Sequence, residues 1–193
     1  DANAGGTFTS LSGGTVILNN GDFTSGPTTT FNNNSGASIK GNGVFNFTSL
    51  FNSNAIIAPG SSPGLLTING QQPLSANSTL QIEMQNGSGA GTGHDQLVRN
   101  GNLTLAGTLT VIPTGTVPAG VYTIIDLTSG SISGTFATIN IPIGTALQIN
   151  PTNIQLIVNT VLPLNLISFS GTKQNSDALL QWKTANEINV SHF

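Results

Sequence analysis

The sequence predicts an all-β protein in which residues 1–160 form a coiled β-helix (a solenoid) and residues 161–193 supply a linker and the first strands of an incomplete β-sandwich. Three observations lead there. Short runs alternate apolar and polar residues with a period of two, which puts the apolar set on one face of a strand. Sustained three-and-four spacing of apolar residues is absent, and Gly or Pro interrupts almost every stretch long enough for a helix. Charged residues make up only 6% of the chain, where an ordinary domain has about 25%. Almost no charge is left to keep the open edges of a sandwich from pairing with one another. A solenoid stacks most of its edges internally and tolerates Thr, Ser and Asn on its faces, where they form ladders at about 4.8 Å per turn. A jelly roll or another β-sandwich remains the alternative.

The elements follow in order. Phe23, Phe31, Phe45, Phe47 and Phe51 crowd the N-terminal third. Phe lacks the polar edge that sugar sites favour, so stacking inside the fold is the expectation and a carbohydrate platform the lesser one. Leu80, Ile82 and Met84 alternate with Gln81, Glu83 and Gln85. The same pattern recurs at Leu103–Leu105, Leu109–Val111 and Ile154–Val158. Asn-Gly pairs at 20–21, 42–43, 69–70, 86–87 and 100–101 supply turn chemistry, with positive φ at low steric cost. Leading strand residues Leu65, Leu80 and Leu97 are 15 and 17 apart, which suits short antiparallel strands or the sides of a solenoid equally. Near residue 160 the composition shifts. Leu166–Lys173 and Ala178–Thr184 are expected to be two strands joined by a turn at Asn175-Ser176-Asp177, and two strands are too few for a core of their own.

Composition also excludes functions. With 193 residues, 37% of them hydrophobic, the chain is long enough to bury a core. Four basic and seven acidic side chains leave a net charge of −3 and no basic stripe to neutralise a phosphate backbone, so nucleic acid is not an expected partner. The absence of cysteine rules out disulfides, thiolate metal sites and cysteine nucleophiles. No apolar run is long enough for a helical span; the stretch 154–169 is broken by Asn159, Pro163 and Asn165. The N-terminal residues lack a basic-then-apolar pattern, so any signal peptide is expected to have been removed.

Two resemblances rest on quoted residues. Ile57–Gly70 with its Ala-Pro-Gly-Ser-Ser-Pro-Gly core, then Leu80–Glu83, His94–Val98 and Gly101–Leu109, resemble the β-helical passenger repeats of autotransporter-type bacterial adhesins, over about residues 50–112. That resemblance implies a right-handed β-helix and export, but no reaction. The run from Leu162-Pro163-Leu164 through Leu166–Phe169 and Leu179–Asn189 to His192-Phe193 is similar to the start of the fibronectin-III-like module that precedes sorting domains of the type IX secretion system. It departs from that family in stopping at Phe193, before the later strands.

Candidate chemistry is sparse. The seven acids are scattered, none closer than ten residues to another, and residues 1–160 hold only Lys40 and Arg99 as cations, fewer than a polysaccharide lyase on a β-helix would use. His94-Asp95 is the one adjacent pair of catalytic types. It suits a base oriented by a carboxylate, or a calcium ligand, less well than a structural aspartate accepting backbone N–H bonds where a loop enters a strand. The glycine-rich loop 87–93 before it has no following Lys and opens no helix, so it is no phosphate cradle. Six Asn-X-Ser/Thr triplets occur, as expected by chance in so Asn-rich a chain.

No catalytic residue, metal ligand or cofactor is therefore expected. The expected role is that of a non-enzymatic, extracellular bacterial surface protein, an adhesin stalk or a filament subunit assembled through β-strand contacts. A carbohydrate-binding module or lyase is the alternative. Expected partners are further copies or the rest of a longer surface protein, the secretion machinery, and glycans. The expected assembly residues are Leu166, Ile167, Phe169, Leu179, Leu180 and Trp182, the apolar set of the two C-terminal strands.

Overall fold

The structure, a computed structural model, describes residues 6–26, 28–47, 51–70, 72–159 and 165–185, with the side chains of residues 51, 52, 165, 166, 184 and 185 outside that description. The protein is all-β. Every regular element among the described residues is a strand. The first nine are β1 (Thr7–Ser10), β2 (Thr15–Thr24), β3 (Thr30–Asn33), β4 (Ser38–Phe47), β5 (Phe51–Ser53), β6 (Ile56–Pro59), β7 (Leu65–Gly70), β8 (Thr79–Met84) and β9 (Gln96–Asn100). The rest are β10 (Leu103–Leu105), β11 (Thr108–Pro113), β12 (Gly120–Ser129), β13 (Ile132–Gly134), β14 (Thr138–Asn140), β15 (Thr145–Ile149), β16 (Asn153–Val158), β17 (Asn165–Gln174) and β18 (Asp177–Ala185). The chain divides into two compact units, 1–159 and 160–193.

In the first unit neighbouring strands in sequence do not pair until β15. Instead β1 pairs β3, β2 pairs β4, β6 pairs β8, β7 pairs β9 and β11 pairs β14, all in parallel. Partners lie from 18 residues apart (Ser38 and Ile56) to 31 apart (Leu65 and Gln96). The chain thus leaves a strand, builds other elements and returns beside the strand it left. Eleven of the strands share one sheet, which curls into an open half-barrel. The 15- and 17-residue spacings seen in the sequence are therefore not the return distance. Leu80 sits between Ile57 and Leu109, and Leu97 between Leu66 and Ile125.

Register explains the alternation. One inward row runs Val16, Ile39, Ile57, Leu80, Leu109 and Ile139, strand upon strand; its four central members are fully buried. Beside it runs an outward row of Thr15, Ser38, Ile56, Thr79, Thr108 and Thr138, in which Thr15 Oγ1 and Ser38 Oγ are 2.9 Å apart. Each buried Leu or Ile contributes roughly 1.5–3 kcal/mol, and the threonines of the second row supply polar surface without charge, while its Ser38 is buried. The phenylalanines pack inside: Phe23 stacks on Phe45 and Phe47 with ring centroids 5.1 and 5.4 Å apart, and Phe31 meets the same pair edge-on or tilted. The side chain of Phe51 lies outside the described residues.

The Asn-Gly pairs do a different job from the hairpin turns their chemistry suggests. Asn20-Gly21 and Asn42-Gly43 lie within β2 and β4, at a register shift between Asn19 and Gly21. There β4 turns a corner: its first residues pair with β6, its last with β7. Gly41 and Gly43 have φ of 102° and 139°, and a Cβ on either would collide with the carbonyl oxygen of Leu18 or Gly21 in the adjacent strand. Only glycine lets the backbones approach that closely at the bend.

The second unit, as far as it is described, is the antiparallel hairpin β17–β18 with an irregularity between Leu166 and Ser168. Its turn is the pair Asn175-Ser176, with Asn175 in the left-handed region at φ 57°, and Asp177 already begins β18.

Candidate functional site

The six residues expected to mediate assembly all lie in the hairpin. Its register sets Phe169 opposite Trp182 and Gly171 opposite Leu180, so Phe169, Leu180 and Trp182 share one face. Leu179, opposite Thr172, belongs to the other face. These side chains are 63% (Phe169), 52% (Leu180), 50% (Trp182) and 43% (Leu179) exposed. Ile167 sits at the irregularity and is also exposed; Leu166 is placed in β17 opposite Thr184, its side chain outside the description. One strand face thus carries three large apolar groups with Lys173 and Lys183 close by in the same two strands.

The His94-Asp95 pair sits at the centre of the first unit, where β9 begins. Asp95 is buried, and its two carboxylate oxygens accept backbone N–H bonds from different segments: Gly64 at 2.7 Å and Glu83 at 2.8 Å. Burial raises its pKa to about 7; the two N–H donors pull it down, less strongly, and the nearby Glu83 charge adds to the rise. His94 binds elsewhere. Its Nε2 lies 3.1 Å from the carbonyl oxygen of Thr123, so Nε2 carries the proton and Nδ1 presents a buried lone pair with no partner. Burial lowers the pKa of His94 more than that bond raises it, which keeps the ring neutral at pH 7. The neighbours therefore do not act on each other, and a base oriented by Asp95 is not what the geometry builds.

Gln96 and Arg99 continue the same function. Gln96 Nε2 donates to the Thr123 carbonyl at 2.9 Å. Arg99, also buried, donates from Nε to the Asn102 carbonyl and from its terminal nitrogens to the carbonyls of Ile68 and Gly70; burial lowers its pKa. Residues 94–99 are a polar staple that ties β9 to the segments stacked on either side. Sequence reasoning placed a backbone-capping role at Asp95, but the donors come from 31 and 12 residues away rather than from its own turn. The role of Arg99 had no sequence signal beyond a lone cation in an apolar alternation.

The structure does bring some scattered charges together. Lys40, Gln81, Glu83, Asp95, Ser61 and Ser62 line a cavity of about 220 Å³ beneath the Gly60–Gly64 loop. Glu83 Oε2 is buried there without a hydrogen-bond partner. Among the described residues no group of three or more His, Cys, Asp or Glu is arranged to hold a metal ion, and no helix is long and apolar enough to cross a membrane.

Against this geometry stand the comparisons with known proteins. A stretch of 81 residues, 40% of the chain, is 44% identical to the adhesin BmaC autotransporter of Brucella suis biovar 1 (strain 1330), and it covers 2% of that protein. The chain spans a small fraction of the length of this relative. No family model matches the chain, its C-terminal run included, and no solved structure matches it.

Proposed function

We propose that the chain is a non-enzymatic segment of an extracellular bacterial surface protein of adhesin type, built as a right-handed parallel β-solenoid and serving as a stalk or filament subunit. The observation that carries this is the returning parallel ladder, with aligned inward and outward rows over strands 18 to 31 residues apart; a jelly roll would pair its strands antiparallel. The partial similarity to an autotransporter adhesin supports the surface location. A stack of this kind is stiff because every turn is fastened to the next along its whole length. In this proposal the exposed hairpin of the second unit is the opening of a fibronectin-III-like module, and export follows the type IX route.

Electron microscopy of the purified chain over a dilution series, together with binding of chain-coated beads to host-cell and matrix surfaces, tests this. Fibres that persist on dilution, or compact particles that confer surface binding, support a filament or a stalk respectively; beads that bind nothing while the chain stays compact overturn both. A second function, glycan binding or lyase chemistry, is favoured by the Lys40–Glu83–Asp95 cavity. Turnover of an acidic polysaccharide that Lys40→Gln abolishes would install that function in place of the first.

A further inference from the structure

We propose that the cavity under the Gly60–Gly64 loop is a binding site for one neutral sugar ring of a glycan, held between Lys40, Gln81, Glu83 and the hydroxyls of Ser61 and Ser62. The proposal rests on the glycan reading of that cavity, narrows it to the binding of an uncharged ring, and does not depend on the stalk or filament reading. The floor follows from the ladder register. Lys40 of β4 is the partner of Ala58 in β6, and one residue past the Ile57–Leu80 pair Ala58 lies beside Gln81 of β8. Lys40, Ala58 and Gln81 thus make an outward row in which one methyl group separates two long polar side chains. Glu83, on the same face of β8 as Gln81, extends the rim. The roof is fixed without help from a ligand. Gly60 exchanges both backbone hydrogen bonds with Gly41, at 2.8 and 3.0 Å, while Gly64 donates to Asp95 Oδ1 at 2.7 Å and Leu65 to Asn42 Oδ1 at 2.9 Å. The cavity is therefore preformed, which lowers the ordering cost of filling it.

Size and polarity select the ligand. At about 220 Å³ the cavity is smaller than the roughly 300–1,000 Å³ of clefts that take drug-sized molecules, so it holds one small ring and not an extended chain. Glu83 Oε2 is buried with no hydrogen-bond partner, an acceptor whose lost hydration is offset only by a donor brought in from outside. Lys40 offers donors alone, whereas Gln81, Ser61 and Ser62 offer both donors and acceptors. Vicinal hydroxyls, each donating and accepting at once, meet such a mixed set, and the Ala58 methyl and Pro59 ring give the C–H face of a sugar apolar surface to rest on. A divalent cation fits less well. Asp95 already gives both carboxylate oxygens to backbone N–H groups, and among the described residues no third acid joins the pair. With the Lys40 ammonium in the same space, this is far from the roughly six to eight oxygen ligands that calcium takes. An acidic sugar would set its carboxylate beside Glu83 and Asp95 with Lys40 alone to oppose them.

Saturation-transfer NMR of the 193-residue chain with the methyl glycosides of glucose, galactose, mannose and N-acetylglucosamine, each in turn, tests the site. At least one is expected to bind in the millimolar range, as suits a single small ring. Ala58→Leu, which fills the floor, and Lys40→Met, which removes the donors at one wall, are each expected to weaken that binding by about tenfold or more. Should Ala58→Leu fail to fold, Lys40→Met, at an exposed position, carries the comparison. A chain that binds none of the glycosides overturns the proposal, as does binding that the folded variants leave unchanged, which would put the sugar elsewhere. Calcium chloride that shifts the backbone amides of Gln81 and Glu83 when no glycoside does would assign the cavity to a cation and overturn it too. Turnover of an acidic polysaccharide without binding of any neutral glycoside would overturn this ligand while leaving the glycan reading of the cavity standing. Fibres or surface-bound beads in the tests of the stalk and filament move independently of all these results.

Discussion

Asp95 holds two segments by their backbone N–H groups at the expense of burying a carboxylate, and that compromise has a pH signature. Its pKa in the fold, about 7, is above the roughly 3.9 of an unfolded Asp. The native state therefore binds the proton more tightly, and the stability this contributes is complete below about pH 4 and lost as pH rises through 7. Urea midpoints are expected to fall across that window by an amount equivalent to up to about 4 kcal/mol. Asp95→Asn is expected to flatten the slope, while lowering stability at pH 4 by about 1–3 kcal/mol because an amide can accept only one of the two N–H bonds. A slope unchanged in Asp95→Asn would assign it to another group. Arg99 is the complementary case, a buried cation serving carbonyls of Ile68, Gly70 and Asn102. Arg99→Met keeps much of the stem and strands three acceptors; a loss of about 2–4 kcal/mol in the same assay is expected, and a change below 0.5 kcal/mol would refute the staple. Nothing in the local sequence around Asp95 names Gly64 or Glu83 as its donors. What was legible was the residue type at a loop-to-strand entry; the partners depend on which segments stack, which one sequence does not state.

At the scale of the strand, the alternation visible at Leu80–Met84 and Leu103–Leu105 translates into burial, since every second side chain there is buried. Partner choice was not legible. Many of these strands present the same apolar–hydroxyl pattern, so the sequence permits antiparallel neighbours as readily as the parallel returns observed, and the difference lies in how the intervening segments route the chain. The inward row makes a sharp prediction. Leu80, fully buried between Ile57 and Leu109, is expected to cost 2–5 kcal/mol when changed to Ala, measured by thermal or urea unfolding of the full chain. The corner glycines make another. Gly43→Ala puts a Cβ against the Gly21 carbonyl oxygen at a φ of 139°, with an expected loss of about 1–3 kcal/mol. Asn-Gly chemistry was read correctly as positive φ at positions 43, 70 and 101, yet two of the pairs proved to be bends inside strands. A dipeptide reports the local dihedral and not whether the chain reverses or merely turns a corner.

For the first unit as a whole, strand number and order set where the structure opens first. Strands in the middle of the ladder, β6, β8 and β9, are held on both edges, whereas among the described residues β1, β2, β14 and β15 are held on one. In the proposed solenoid each turn touches chiefly the turns beside it, so stability is expected to be a sum of neighbour terms with the ends opening before the middle. Amide hydrogen exchange of the dilute 193-residue chain is expected to be slowest in β6, β8 and β9, which are paired on both edges, and fastest in β1 and β2. All-or-none exchange of the whole unit at one rate would show a cooperative globular core instead of a stack, and would favour the sandwich alternative.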